Sequence, residues 1–203
     1  MGSSSLLGLN ALAELSRVSL GSVDSGAVAF RLAPRLNAAG RLGSAMPAVE
    51  LFLAAKETKA HEIALQLDLL NGERQQIKTD LLNQALSQVE RDVDLAEDKA
   101  LVVAGEGWHP GVIGIVASRL VDKWHRPALV ISLAAGIGKG SGRSIPAFPL
   151  YQALECCSSH LTTFGGHPLA AGFTLPEQNL AIFRRAFTAA ANNCLTAKDC
   201  TPY

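Results

Sequence analysis

The strongest constraint on the fold is a change of sequence pattern about halfway along the chain. From about residue 48 to 91 the residues are good helix formers, and apolar side chains recur at helical spacing. After residue 100, short runs rich in Val, Ile and Leu alternate with amphipathic helical stretches. Strands separated by helices are typical of an α/β sandwich. The sequence therefore predicts a helical first half, a long helix with a bend at Gly72, and then an α/β domain.

The boundaries of the expected elements follow from the same patterns. Helices are expected at residues 6–15, 111–124, 149–159 and 177–193, and strands at 101–104, 128–133 and 170–175. Residues 137–144 are expected to form a glycine-interrupted strand or a loop.

Composition leaves the class of partner open. The chain has 203 residues, 48% of them hydrophobic, which is enough to bury a core in one or two domains. Its 18 Lys and Arg residues balance 18 Asp and Glu residues. No global field therefore draws the protein to nucleic acid or to an anionic membrane, and any polyanion site must be a local patch.

The four cysteines and the N-terminus bear on the cellular compartment. Cys156, Cys157, Cys194 and Cys200 lie close together near the end of the chain, without a Cys-x-x-Cys motif. This spacing argues against a disulfide framework and against structural zinc, and favours reduced thiols in the cytoplasm. No stretch is apolar for long enough to cross a membrane. Residues 1–5 lack the features of a signal peptide and are interpreted as an expression remnant.

Arginine is concentrated in one segment of the first half. Arg31, Arg35 and Arg41 lie within eleven positions, together with Asn37, a proline and a glycine. Guanidinium groups present paired donors that suit phosphate oxygens. Residues 30–43 are therefore expected to be a loop that lines a cleft and binds an anion, or else a surface turn with solvated arginines.

Three further segments place glycines beside polar side chains. Glycine allows the backbone to approach a ligand closely, and an imidazole can donate to phosphate or move a proton near neutral pH. Each segment is interpreted as part of a polyanion site or as a structural turn. Residues 136–144 fit neither the Walker A spacing nor the dinucleotide fingerprint, so nucleotide binding through those motifs is not supported. The alternative interpretation of this segment is a flexible hairpin. The three segments are residues 107–114 with Trp108 and His109, residues 136–144 with Ser141, Arg143 and Ser144, and residues 164–172 with Gly165, Gly166 and His167.

These segments carry five motifs. They are Pro-Arg-Leu-Asn-Ala-Ala-Gly-Arg at 34–41, Leu-Asn-Gly-Glu-Arg-Gln at 70–75, Gly-Trp-His-Pro-Gly-Val-Ile-Gly at 107–114, Gly-Ser-Gly-Arg-Ser at 140–144 and Gly-Gly-His-Pro-Leu-Ala-Ala-Gly at 165–172. In order and spacing they resemble the RecJ-type single-strand-specific exonucleases of the DHH/DHHA1 phosphoesterase superfamily. The resemblance covers about residues 6 to 193. Gly-Gly-His with Ala-Ala-Gly is similar to DHHA1 domains broadly, whereas the first motif resembles the RecJ branch.

The resemblance implies a domain organisation. Residues 1–47 correspond to the end of a catalytic DHH domain, 48–98 to a long connecting helix, 99–193 to a DHHA1 substrate-binding domain with a mixed sheet flanked by helices, and 194–203 to a tail. In the family, the two lobes face each other across a cleft that holds the nucleic-acid strand.

The resemblance also implies which residues contact single-stranded DNA. Trp108 is expected either to stack on a base or to pack as an indole on the sheet. The residues expected at phosphate or strand contacts are Arg35, Asn37, Arg41, Trp108, His109, Ser141, Arg143, Ser144, Gly165, Gly166 and His167.

By the resemblance, the parent protein is a metal-dependent exonuclease that digests single-stranded DNA from 5′ to 3′ in repair and recombination. Its Mn²⁺ or Mg²⁺ ions are held by an Asp-His-His signature and other aspartates that lie upstream of the residues present here. The acidic run at 92–98 is interpreted as a solvated turn instead. The chain is therefore expected to be an inactive fragment that binds no metal, lacks the DHH domain in cis and has no catalytic residue, with His167 in an assisting role.

Two alternatives remain at this point. One is a DHHA1-type phosphoesterase acting on short oligonucleotides or cyclic dinucleotides. The motif at 34–41 argues against this class, because it resembles the RecJ branch. The other is a non-catalytic nucleic-acid-binding relative that kept the fold.

Overall fold

The computed structural model describes residues 6–201, so the proposed expression remnant at residues 1–5 lies outside the described residues. The chain divides into two compact units, Met1–Ile77 and Lys78–Tyr203. A long helix spanning Glu57–Asp92 contributes its first part to one unit and the remainder to the other. Each unit has a hydrophobic core of its own.

The described part of the first unit is helical throughout. Its elements are α1 (Leu7–Leu15), α2 (Ser25–Ala27), a π-helical segment (Val28–Leu32), α3 (Ala33–Leu42), α4 (Met46–Leu53) and the start of α5 (Glu57–Asp92). Gly8 allows α1 to approach α4 closely, because a Cβ at this position would lie 1.9 Å from the carbonyl oxygen of Leu51. The core of this unit includes Leu12, Leu51 and Leu67, which are fully buried.

Three expectations for the first half were wrong in detail. Residues 30–42 are helical rather than a loop, because the π-helical segment runs directly into α3, with Pro34 near the junction. The long helix does not begin at residue 48, since α4 ends at Leu53 and Ala54 has an extended backbone. Helix α5 continues through Gly72 without a break.

The second unit contains a five-stranded mixed sheet, and the prediction of an α/β fold is confirmed. The strand order is β1-β2-β3-β5-β4, with β1 and β2 parallel and the other pairs antiparallel. The strands are β1 (Leu101–Glu106), β2 (Ala128–Ala134), β3 (Ile137–Arg143), β4 (Thr163–His167) and β5 (Ala170–Pro176). The helices are α6 (Ile113–Trp124), α7 (Leu150–Cys156) and α8 (Leu180–Cys194).

Strand β4 was not expected as a strand, because its Gly-Gly pair is typical of a turn. It pairs with β5 along its whole length, and residues Pro168 and Leu169 form the two-residue turn between the two strands. The outer edge of β1 is covered in part by α5. Gln88 donates to the carbonyl of Ala104 at 3.2 Å and accepts from its N–H at 2.8 Å, which satisfies groups that an edge strand would leave exposed.

The two faces of β3 differ completely. Successive residues of a strand point to opposite sides of the sheet. Gly138, Gly140 and Gly142 lie on the side of the aromatic core, where a Cβ at Gly140 would stand 2.1 Å from the Phe173 ring. That core is built from Phe148, Phe173, Phe183 and Phe187 together with aliphatic side chains of β2, β5 and α7. The glycines of β3 are therefore required by core packing, which corrects their interpretation as a polyanion cradle.

The four cysteines are free thiols. Cys156 and Cys194 are exposed, whereas Cys157 and Cys200 are buried. Burial raises the pKa of Cys157 to about 11, so this thiol stays protonated and unreactive at neutral pH. Within residues 6–201, no helix combines the length and the apolar character needed to cross a bilayer.

The two kinds of strand glycine respond differently to a methyl group. We expect Gly140→Ala to lower the free energy of unfolding by about 1–3 kcal/mol, because the methyl overpacks the core against Phe173. Gly172→Ala is the control, since a Cβ there meets nothing nearer than Gly140 O at 3.8 Å and alanine is the better strand residue. Urea unfolding monitored by circular dichroism compares the two. Equal losses of stability would contradict the assignment of the faces.

Candidate functional site

Polar residues from neighbouring strands meet on the face of the sheet opposite to the aromatic core. Arg143 of β3 pairs with Ala170 of β5, and Ala170 pairs in turn with His167 of β4. Paired residues point to the same side of a sheet, so Arg143 and His167 lie in one row. Two strand spacings of about 4.8 Å place their backbones roughly 10 Å apart. A single small side chain, that of Ala170, lies between them.

The next row of this surface has almost no side chains. Ser141 pairs with Gly172, and Gly172 pairs with Gly165. A Cβ at Gly165 would meet nothing within 4 Å. Neither Gly165 nor Gly172 has a positive φ, so the backbone does not demand glycine at these positions. We call this surface the open face; it consists of Ser141, Arg143, Gly165, His167, Ala170 and Gly172.

The first turn of α6 borders the open face. A Cβ at Gly114 would lie 2.9 Å from Ser141 Oγ and 3.0 Å from Arg143 Nη2, so the helix sits directly against these two side chains. No side chain caps the N-terminus of α6. Because the N-terminal end of a helix carries partial positive charge, the helix and the guanidinium both favour an anion here.

The Arg143 guanidinium is held in a defined position. It is half-buried, and Nη1 donates to Gly142 O at 2.7 Å and to Ser141 Oγ at 3.2 Å. Fixed donors lose little conformational entropy when an anion binds. Arg143 and Ser141 therefore act as one preorganised group of donors.

The Gly-Gly-His motif contains two glycines with different roles. Gly166 has φ of 147°, and a Cβ there would lie 2.5 Å from Ala170 O, so the strand itself requires glycine at this position. Gly165 carries no such requirement and is exposed. His167 is also exposed, at the end of β4 on the open face.

Ser144 holds the segments around His167 together. Its hydroxyl donates to Phe148 O at 2.7 Å, and its N–H donates to Leu169 O at 3.0 Å. The neighbouring Pro168 O accepts from Leu150 N at 2.8 Å. The structure thus gives Ser144 a positioning role, whereas the sequence predicted a direct phosphate contact.

Trp108 and His109 lie in the loop before α6. The Trp108 indole is only 7% exposed, its Nε1 donates to Gln84 Oε1 at 2.8 Å, and its ring lies where a Cβ of Gly105 would be. Of the two roles expected for Trp108, this geometry supports packing on the sheet and corrects base stacking. His109 is half-buried, and its Nδ1 accepts from Gly111 N at 3.1 Å.

The arginines of the first unit divide into two groups. Arg31 donates to the backbone oxygens of Ser16 and Arg17. Arg35 donates from Nε to Asp68 Oδ1 at 2.7 Å and from Nη1 to Arg31 O. The charge of Arg35 is therefore compensated inside the fold, and its expected phosphate contact is corrected to a structural ion pair. Asn37 and Arg41 are exposed on α3 and form the second group.

Sequence reasoning missed Arg74, although it lies in the Leu-Asn-Gly-Glu-Arg-Gln motif. This half-buried arginine donates from Nη2 to Asn71 Oδ1 at 3.0 Å. Burial lowers its pKa, and the positive charge of Arg41 lowers it further. A bound anion would counteract both effects on the Arg74 pKa.

The described residues supply no set of ligands for a metal ion. Among residues 6–201, no three or more His, Cys, Asp or Glu side chains are grouped as a metal site requires. In the acidic run, Asp92 forms an ion pair with Arg91 and Asp94 accepts from Ala96 N, as expected of a solvated turn.

Comparison with known proteins gives consistent results. Residues 97–193 match the model of the DHHA1 domain. The "Single-stranded-DNA-specific exonuclease RecJ" of Bacillus subtilis is 43% identical over 198 residues, covering 97% of this chain and 25% of that protein. The protein of the same name from Escherichia coli is 36% identical over 188 residues, covering 89% of this chain and 32% of that protein.

A solved structure agrees over the same region. The crystal structure of RecJ in complex with Mn²⁺ from Thermus thermophilus superimposes with a TM-score of 0.84 at 36% identity, covering 94% of this chain and 28% of that one. Over nearly its whole length, this chain is similar to RecJ proteins. It spans about a quarter to a third of the length of the two curated RecJ relatives. The RecJ resemblance inferred from the motifs is confirmed, and RecJ has also been solved with Mg²⁺.

Proposed function

We propose that the open face binds the backbone of single-stranded DNA, as the substrate-binding part of a metal-dependent exonuclease. The observation that carries this proposal is the row formed by Arg143, Ala170 and His167 beside a floor of exposed glycines. The RecJ relatives are named as exonucleases specific for single-stranded DNA, which supports the same substrate. By analogy with these relatives, we propose digestion from 5′ to 3′ in DNA repair and recombination.

The chemistry of the open face suits a phosphate backbone better than a base sequence. Arg143 and His167 offer N–H donors, Ser141 offers a hydroxyl, and the N-terminus of α6 adds partial positive charge. Donors of this kind bind phosphate whatever the base, because they contact nothing that differs between nucleotides. We therefore propose binding with little sequence preference.

The glycine floor determines how closely the strand approaches. The smallness of Gly165 and Gly172 is unexplained by backbone conformation or by packing, because the space above them is open. We propose that the sugar-phosphate backbone lies against these residues, where any larger side chain would occupy its place.

In the first unit, we propose a separate phosphate contact. It consists of Arg41, which is exposed on α3, and the half-buried Arg74, with Asn37 as a further donor on α3. Arg35 positions α3 through its ion pair with Asp68. We propose His109, in the loop before α6, as a further strand contact in the second unit.

For the longer protein, we propose the domain organisation that the RecJ resemblance implies. Residues 1–47 end a DHH domain, 48–98 connect it to the DHHA1 domain at 99–193, and 194–203 form a tail. RecJ structures contain Mn²⁺ or Mg²⁺, and we propose that ligands outside this chain hold such ions in a cytoplasmic enzyme. The ions polarise the phosphodiester and activate water.

Removal of the Arg143 charge tests the phosphate contact. We expect Arg143→Gln to weaken binding of a labelled single-stranded oligonucleotide and to reduce the slope of log affinity against log salt by about 0.7, the contribution of one phosphate on a single strand. Fluorescence anisotropy over a salt series measures both. Arg185→Gln is the matched control, because Arg185 is exposed on α8, on the core side of the sheet. Equal salt slopes for Arg143→Gln and Arg185→Gln would show that Arg143 does not contact a phosphate.

A side chain placed on the glycine floor tests the path of the strand. We expect Gly165→Leu to retain the melting temperature of the wild type, since the new side chain enters open space, and to reduce oligonucleotide affinity at least tenfold. Ala189→Leu adds the same bulk at an exposed position on α8 and should leave affinity unchanged. A Gly165→Leu protein that is folded and binds normally would place the strand elsewhere.

The chain alone is expected not to cleave DNA, because the described residues offer no metal-ligand set. Incubation of the purified chain with end-labelled single-stranded DNA and Mn²⁺, followed by gel electrophoresis, measures this. Denatured protein serves as the control. Cleavage that persists at constant specific activity through repurification would show that the chain carries its own catalytic site.

A further inference from the structure

A cavity of about 410 Å³ lies on the same side of the sheet as the open face, at the other end of β3. Its walls come from the loop before α6 and from the β2–β3 hairpin. The volume falls within the range of about 300–1,000 Å³ that is typical of small-molecule sites. Its lining includes His109, Pro110, Ser132, Leu133, Ile137 and Lys139.

The cavity combines an apolar wall with two polar groups. Ile137 is 48% exposed, which is unusual for isoleucine in a strand, and it lines the cavity together with Pro110. Lys139 is exposed and forms no ion pair in the part of the chain that the structure describes. His109 lines the same space, and its Nδ1 is already occupied by Gly111 N. A flat ring with a neighbouring negative charge suits this combination of surfaces.

The cavity and the open face are aligned along β3. Lys139, Ser141 and Arg143 alternate with the core-facing glycines and so point to one side. Two residues of a strand span about 6.7 Å, so the three side chains form a line of donors about 13 Å long. The N-terminal region of α6 borders both ends of this line, through Gly114 at Ser141 and Arg143, and through His109 and Pro110 at the cavity.

We propose that the cavity is a second nucleotide subsite on the strand bound at the open face. A base enters and packs against Ile137 and Pro110, and the Lys139 ammonium contacts the phosphate next to it. This inference rests on the proposed function of the open face. It adds a subsite that a single nucleotide bound at Arg143 does not reach.

Oligonucleotide length separates the two sites. The probes are thymidine 5′-monophosphate and 5′-phosphorylated thymidine oligomers of increasing length, titrated into the full 203-residue chain labelled with ¹⁵N. We expect the monophosphate to shift the amide signals of Arg143 and His167 alone. Longer oligomers should also shift those of Ile137 and Lys139. Shifts at Ile137 that do not depend on length would overturn the proposal.

Substitutions within the cavity provide the second measurement. We expect Lys139→Gln to weaken binding of the longer oligomer about three- to tenfold and to lower its salt slope by about 0.7, with the monophosphate affinity unchanged. Ile137→Thr keeps the β-branched shape at an exposed strand position. It should weaken binding of the oligomer and leave binding of an abasic strand of equal length unchanged. Lys198→Gln is the control for charge, since Lys198 is exposed in the C-terminal segment.

The outcomes distinguish this inference from the proposed function. If Arg143→Gln weakens binding and Lys139→Gln behaves like Lys198→Gln, the subsite is wrong and the open face stands. If Arg143→Gln has no effect on any probe, the proposed function fails, and the subsite fails with it.

Discussion

The alternation of β3 between two chemically opposite faces is the constraint on which the candidate site depends. On one side, glycines leave room for the Phe173 ring and for the aliphatic side chains of β2 and α7. On the other side lie Lys139, Ser141 and Arg143, which carry polar or charged groups. A shift of one residue in the pairing of β3 would place Arg143 in the aromatic core and the glycines on the surface. The tight fit of Gly140 against Phe173 thus also fixes the direction in which Arg143 points.

The same logic explains why two small residues next to each other have unrelated roles. Gly166 is required by its own backbone, whose φ of 147° is strained for other residues. Gly165 is free of backbone strain and of steric contacts, so stability gives no reason for its identity. Glycine in a strand is less stabilising than alanine, and Gly165 makes no contact that would require it. We therefore infer that a ligand approaches the backbone at this position. This contrast carries more functional information than the motif taken as a unit.

Many helices and strands of the second unit were predictable, because buried strands and amphipathic helices differ in period. Strand β4 was missed because glycines carry no hydrophobic signal, and only its pairing with β5 shows that it is a strand. Residues 30–43 were mistaken for a loop because a proline in the first turn of a helix is the same residue type as a proline in a loop. The burial of Trp108 and the ion pair of Arg35 depend on residues distant in sequence, Gln84 and Asp68, so no local pattern contains them.

The arginines illustrate how little residue type alone says about a binding site. Arg31 and Arg35 belong to the segment that looked most like an anion site, yet their donors are used by backbone carbonyls and by Asp68. Arg74, from a motif without an assigned role, lies instead where burial and the charge of Arg41 both lower its pKa. A guanidinium with a compensated charge gains little from a phosphate, because it must first give up its existing partner. A guanidinium facing a like charge gains the attraction to the phosphate and is relieved of part of the repulsion, so Arg74 is a better candidate than Arg35 for holding DNA.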